Sequence, residues 1–287
     1  MSKLSINKLF YWSSRNFGDE LSLYLINKIT QKSFILCQPP FNDNVLVAIG
    51  SIITPHVLHS KVTIWGTGTL HTRCLDLPRL KLFPLSRFFR NILDRLNISQ
   101  PEIYAVRGPR TREMLLKIGL NCPEVYGDPA ILLPHFYQVK HTKLDHKIGL
   151  ILHHSQSLTP HQLFLCKNLG ILPISILRQG NDEIEDFIEE VCSCDRIFSS
   201  SLHGVIIAQT YGIPAQWIRL KDLPIHSDDW HKFEDYFLGA GQMNQHALEI
   251  KLTNQYLEYL FEVKMPQIQP FDMSDSLLKA FPPRFLL

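Results

Sequence analysis

The sequence predicts an α/β protein made of two Rossmann-like, doubly wound domains facing across a cleft. Three observations carry this expectation. Short apolar, β-branched runs recur along the 287 residues and several end in glycine, as strands of a buried parallel sheet do on reaching a ligand-facing loop. Segments with apolar residues at helical spacing alternate with these runs. The alternation occurs twice, on either side of the polar, aperiodic stretch YQVKHTKLDH (137–146), which places the domains at 1–140 and 141–287.

In the first set, SINKLFY (5–11) reads as a strand, NFGDELS as a turn and ELSLYLINKIT as a helix. NVLVAIGS (44–51) and KVTIWGTG (61–68) read as strands ending in glycine. EIYAVRGP (102–109) repeats that pattern before the helical RTREMLLKIG, and EVYGDPAILL closes the half. In the second set KIGLILHH, ILPISIL, DRIFSSS and PAQWIRL are strands. TPHQLFLCKNLG, the acidic DEIEDFIEEVCSC and HGVIIAQTYG are the helices between them. The outline is GT-B-like, with ligands expected at the carboxyl ends of strands.

Composition narrows the function classes. Hydrophobic residues make up 45 % and charged residues 20 % of the chain, an ordinary globular balance. Lys and Arg total 29 against 27 Asp and Glu, a net charge of +2, so charge gives no argument for a nucleic-acid partner and any anion site is local. The start MSKLSINKLFYW lacks an export signal, and no apolar run reaches membrane-spanning length, which sets a cytoplasmic expectation. The six cysteines are scattered, Cys192 and Cys194 being the one close pair. They read as reduced thiols, and no metal-ligand spacing occurs.

The stretch SSSLHGVIIAQTYG concentrates the chemistry. A strand hands over to a helix whose first turn holds Leu202, His203 and Gly204, preceded by Ser200 and Ser201. Unpaired first-turn amides and the positive end of the helix dipole suit a phosphate or carboxylate there. His203 would stand beside that anion as acid or base; the plainer reading is a capping serine and a satisfied histidine. VRGPRTREML puts Arg107 at a strand end and Arg110 at a helix start, against the dipole, which suggests an anionic guest. Asp128 in YGDPAILLP sits in a rigid turn suited to a helix cap or to hydroxyl ligands, the structural role being favoured. Asn16, Gly18 and Asp19 occupy the first strand-helix turn, and Gly66 and Thr67 another strand end. No GxGxxG fingerprint or Walker loop is present.

Taken in order, NFGDELS, AIGS, WGTG, AVRGPRTRE, YGDPAILLP, SSSLHGVIIAQTYGIPA and KFEDYF span Asn16 to Phe237, and the set resembles the polysaccharide pyruvyl transferase family. The resemblance implies a GT-B-like fold and transfer of the pyruvyl group of phosphoenolpyruvate to a sugar of a bacterial cell-surface polysaccharide, as a ketal bridging two hydroxyls. It implies His203 as general acid and Arg107 as a donor-anion ligand. Arg110, the 201–204 helix start and His153, at the end of KIGLILHH, are further donor contacts. Where many members carry arginine directly before Leu-His-Gly, this chain has Ser201. No cofactor is implied beyond phosphoenolpyruvate as co-substrate. A nucleotide-sugar glycosyltransferase on the same fold and a non-catalytic subunit of polysaccharide assembly are the competing readings.

One further segment stands out. In RLKLFPLSRFFRNILDRL (79–96), five basic residues interleave with an apolar face at helical spacing. Such a helix would either pack its apolar face inward or lie on an anionic membrane surface, where a lipid-linked acceptor would be met at the inner face of the cell membrane.

Overall fold

The computed structural model describes residues 7–41, 45–72, 100–140, 146–225, 229–267 and 273–286. The basic segment 79–96 lies outside the described residues. In the first half, strand β1 (Asn7–Phe10) leads into helix α1 (Phe17–Thr30), followed by β2 (Phe34–Leu36), β3 (Val45–Val47), the short α2 (Pro55–Leu58) and β4 (Val62–Trp65). Then come β5 (Glu102–Ala105), α3 (Pro109–Lys117) and a 3-10 turn over Pro129–His135. The second half runs β6 (Ile148–Ile151), α4 (Pro160–Leu169), β7 (Ile171–Ile174), α5 (Asn181–Cys192), β8 (Ile197–Ser199), α6 (Leu202–Thr210) and β9 (Ala215–Leu220). It ends with α7 (Trp230–Gly239), β10 (Leu248–Ile250), α8 (Asn254–Tyr259) and α9 (Ser274–Lys279).

All ladders within the two five-stranded sheets are parallel, with orders β2-β1-β3-β4-β5 and β10-β9-β8-β6-β7. The two orders are the same topology: in each half the first strand has the second on one side and the third on the other. The chain therefore reverses its winding direction twice, between β1 and β3 and between β6 and β8. Those switch points open crevices at the carboxyl ends of the strands, where ligands of open α/β sheets bind.

The central strands are apolar on both faces because helices cover both, and β3, β4 and β6 are buried throughout. Helix α6 is buried from Leu202 through Gln209, which explains why its sequence is apolar all round instead of striped. Helices α1 and α5 bridge the two halves, with Phe17 and Phe187 at a ring separation of 4.2 Å. The loop after β1 is also stitched to the loop after β7, where Phe17 N–H donates to the Ile176 carbonyl at 2.8 Å. Near its end the chain returns to the first sheet: Trp65 Nε1 donates to the Leu277 carbonyl at 2.9 Å, and its ring meets Phe281 edge-on.

Among the described residues Cys37, Cys122, Cys166, Cys192 and Cys194 are all free thiols. Burial pushes Cys122, Cys192 and Cys194 up to about 12, so these are inert packing groups. Among the described residues no helix is long and apolar enough to cross a membrane.

Candidate active site

A cavity of about 370 Å³ opens where the two switch points meet. Its wall takes Trp12, Ser14, Asn16 and Asp19 from beyond β1, and Gly50, Ser51 and Ile52 from beyond β3. From the second half it takes His153 and His154 beyond β6, and Ser201, Leu202 and His203 beyond β8. The four strands that flank both topological reversals thus deliver the wall, completed by Leu70 and by Lys232 of α7.

His203 stands on the second residue of α6 and is 9 % exposed. Its Nε2 faces Asp128 Oδ2 at 3.5 Å, and neither of these buried atoms has another partner among the described residues. The other Asp128 oxygen accepts from Ala130 N–H at 3.1 Å and starts the 3-10 turn. Asp128 therefore takes the capping role favoured from the turn, and its second oxygen faces the imidazole of His203 instead of a ligand hydroxyl. A carboxylate there favours the tautomer with its proton on Nε2, leaving Nδ1 as the nitrogen that can accept or deliver a proton elsewhere. Nδ1 lies against Gly18. A methyl group built on Gly18 would sit 2.0 Å from it, so glycine is required by the approach of the imidazole rather than by backbone freedom.

Ser201 is the N-cap of α6 by position, but its side chain makes no capping bond. The first-turn amides of Leu202, His203 and Gly204 have no intrahelical acceptor, by helix geometry. They point their donors toward the end of α6 where the cavity lies, which gives this end the positive character expected of an anion site. Ser200 instead ties two loops together, its Oγ donating to Gln156 Oε1 at 2.6 Å and accepting from His153 N–H at 3.0 Å. Gly204 is where α6 leans on β8, a Cβ there meeting Ser199 Oγ at 2.3 Å. Asp19 is held on the cavity wall by Ser14 Oγ at 2.7 Å and Asn16 Nδ2 at 2.9 Å.

Other residues singled out in the sequence lie away from the wall. Arg107 is fully buried: its Nε donates to Asp235 Oδ2 at 3.1 Å, Nη1 to Ser51 Oγ at 2.5 Å and Nη2 to the Thr69 carbonyl at 2.7 Å. The anion that Arg107 and the start of α3 answer to is in the chain itself. Asp235 also accepts from Thr111 N–H at 2.9 Å and Thr111 Oγ1 at 2.7 Å, so a carboxylate 124 residues away caps α3. Gly108 permits this crossing, since a Cβ on it would fall 1.8 Å from the Asp235 carbonyl oxygen. Arg110 is partly exposed and pairs with Glu234 at 3.1 Å. Gly66 packs against Pro129, and Thr67 Oγ1 bonds the Gly50 carbonyl at 2.8 Å behind the wall.

Three groups on or beside this site escaped sequence reasoning, and two of them sit on one helix turn. Lys232 lines the cavity, and burial pushes its ammonium down to about 8. His231 Nε2 meets Thr69 Oγ1 at 2.9 Å inside the Arg107 network, where burial holds it below the usual imidazole range. Trp12, half exposed at the cavity mouth, is braced edge-on by Phe10 at 5.2 Å. For Lys232 the signal was KFEDYF (232–237), whose charges look solvated until α7 is placed; His231 lies just before that stretch.

Fold and site together define a two-sheet α/β protein with a buried histidine, faced by a carboxylate, in the first turn of a helix that starts at the cavity wall. The chain belongs to the polysaccharide pyruvyl transferase family, whose model matches residues 4–221; membership implies a transferase. It is similar to an uncharacterized protein of Acanthamoeba polyphaga mimivirus, 30 % identical over 226 residues that cover 77 % of this chain and 69 % of that protein. It is also similar to the succinoglycan biosynthesis protein ExoV of Rhizobium meliloti (strain 1021), 26 % identical over 235 residues that cover 80 % of this chain and 63 % of that protein. The matches thus span about two thirds of each relative's length.

Proposed function

We propose that this protein transfers the pyruvyl group of phosphoenolpyruvate to a saccharide of an exopolysaccharide or its precursor, forming a ketal across two hydroxyls, in a GT-B-like arrangement of its two halves. The observation that carries the reading is His203 on the wall of the cavity where both switch points meet, faced from behind by the buried Asp128. A saccharide acceptor and an exopolysaccharide product are supported by the family and by ExoV.

The chemistry assigns roles to the residues present. His203, backed by Asp128, gives a proton from Nδ1 to the methylene carbon of the enol phosphate, and C2 becomes electrophilic. A sugar hydroxyl attacks C2, its proton passing to Asp19 on the same wall. The C2–O bond to phosphate breaks, a second hydroxyl closes the ketal, and inorganic phosphate leaves. Of the two hydroxyl protons released, one replaces the proton given to carbon and the other leaves with phosphate. The first-turn amides of α6, Ser201 and His153 hold the anionic donor. Trp12 at the mouth offers an aromatic face to the apolar side of a sugar ring.

The test is incubation with phosphoenolpyruvate and a panel of acceptor sugars, following phosphate release and the mass of the ketal. Release of phosphate with a ketal product is the expected result. Turnover of a nucleotide sugar with phosphoenolpyruvate untouched would overturn the reading.

A further inference from the structure

The donor proposed above carries a phosphate, and the described wall of the cavity holds a single Lys or Arg side chain, Lys232. It is 8 % exposed and sits in the first turn of α7. No carboxylate lies within ion-pair distance of its ammonium among the described residues, and the contact made by Nζ is with the Phe233 ring, 5.7 Å from its centroid. That ring is itself fixed by stacking on Trp217 at 4.4 Å. A buried ammonium with no carboxylate in contact is unfavourable, and an anionic ligand is one way to supply that contact. The same cavity is lined by Ser201 and Leu202, at the start of α6, where the unpaired amides favour an anion as well.

We infer that Lys232 is the cation of a phosphate subsite, meeting the donor's phosphate in the cavity that the α6 amides also line. The inference rests on the donor reading above. Phosphate is favoured over carboxylate because its dianionic charge gains most from a point-charge ammonium beside helix-terminal amides, the combination found in phosphate loops. Chain position supports it too. Ser201, directly before Leu202 and His203, is a small uncharged residue, so α6 brings no Lys or Arg of its own to this end. Burial pushes the ammonium down to about 8, with Arg107 adding to the effect and Asp229 and Asp19 opposing it. A dianionic phosphate in contact would stabilise the charged form and oppose this shift.

The experiment is equilibrium binding to the full chain by calorimetry, with phosphoenolpyruvate, inorganic phosphate and pyruvate as probes, on wild type, Lys232→Met and Lys232→Arg. Lys232→Met is expected to weaken phosphoenolpyruvate and inorganic phosphate by roughly 10- to 100-fold, the worth of one hydrogen bond to a charged group. Lys232→Arg is expected to keep most of the affinity, and pyruvate, lacking phosphate, to bind all three proteins alike. A thermal melt of each variant confirms folding. Equal phosphate and phosphoenolpyruvate binding by wild type and Lys232→Met overturns the inference, as does wild type that binds neither. Phosphate binding that depends on Lys232 without phosphoenolpyruvate binding would instead overturn the donor reading and leave the subsite standing.

Discussion

His203 Nε2 and Asp128 Oδ2 face each other at 3.5 Å, two buried atoms with no other partner among the described residues. The pair joins the halves of the chain, since Asp128 opens the 3-10 turn that ends the first and His203 the helix after β8. Asp128→Asn keeps the oxygen that accepts from Ala130 while removing the charge behind the imidazole. Turnover is expected to fall roughly 100-fold, with His203→Gln falling as far or further. In the proposed mechanism both act through one proton transfer, so the double variant should be no slower than His203→Gln alone. Additive losses in that cycle would mean two independent roles.

Gly18 tests whether the imidazole must stay where it is. A methyl group there would overlap Nδ1 at 2.0 Å and Cε1 at 2.3 Å, so Gly18→Ala has to displace the ring. The backbone itself accepts alanine, since Gly18 is not among the residues with positive φ. Activity is therefore expected to drop at least about tenfold, with a smaller change in melting temperature. Unchanged kcat would show that the ring position is not the one used in catalysis.

The Arg107–Asp235 pair makes the opposite prediction. Both side chains are fully buried, and Asp235 caps α3 as well. Removing one partner leaves a buried charge alone, so Asp235→Ala should destabilise by about 3–5 kcal/mol in urea unfolding. Arg107→Lys cannot reach Asp235, Ser51 and Thr69 together. It should lower the melting temperature while donor affinity, measured below that temperature, stays near wild type. A large loss of donor affinity at unchanged stability would return Arg107 to the donor site.

These residues also show what the sequence could and could not tell. Strands ending in glycine and the strand-turn-helix at LHG reported the switch points, because parallel strands need unbroken apolar runs and the turns need small residues. The edge strands β2 and β10, three residues each, carry too little pattern to separate from loops. Arg107 at a strand end and Arg110 at a helix start were legible as cations seeking an anion, but their partners, Asp235 and Glu234, lie on α7, 128 and 124 residues onward. Lys232 and Asp235 look like the solvated face of an amphipathic helix. They are buried because Gly108 and Gly239 let α7 cross the chain closely, a Cβ on Gly239 falling 2.5 Å from the Arg107 carbonyl oxygen.

His231 should make the protein sensitive to acid. Desolvation holds the imidazole below its ordinary 6.5, with Arg107, Arg110 and His71 adding to the effect and Asp235 opposing it. In the unfolded chain the same group takes up a proton near 6.5, so the unfolded state binds more protons below that pH. Stability is then lost as pH falls from about 6.5 toward about 4. His231→Gln keeps a bond to Thr69 and removes the titration. Its stability, by urea unfolding, should fall about 1–3 kcal/mol less than wild type between pH 7 and pH 4. Parallel pH curves for the two proteins would place the acid sensitivity elsewhere.

Lys232 works in the other direction along the pH scale. Its folded value, about 8, lies below the ordinary 10.5 because burial opposes the charge. Below pH 8 both states carry the proton and the folded state bears the burial of the charge. Between about 8 and 10.5 the folded chain has released its proton while the unfolded chain retains it, so stability rises with pH across that window. Lys232→Met removes the burden at neutral pH and should be more stable than wild type by up to about 3 kcal/mol at pH 7, the free-energy equivalent of the shift. The advantage should shrink as pH approaches 10.5. Saturating inorganic phosphate should narrow the gap at pH 7 as well, because an anion that binds the folded state through Lys232 stabilises wild type and not the variant. Melting curves at pH 7 and pH 10, with and without phosphate, check each part. Equal stability of the two proteins at pH 7 without phosphate would mean that the ammonium is already compensated, and that the cavity has no need of an anion from outside.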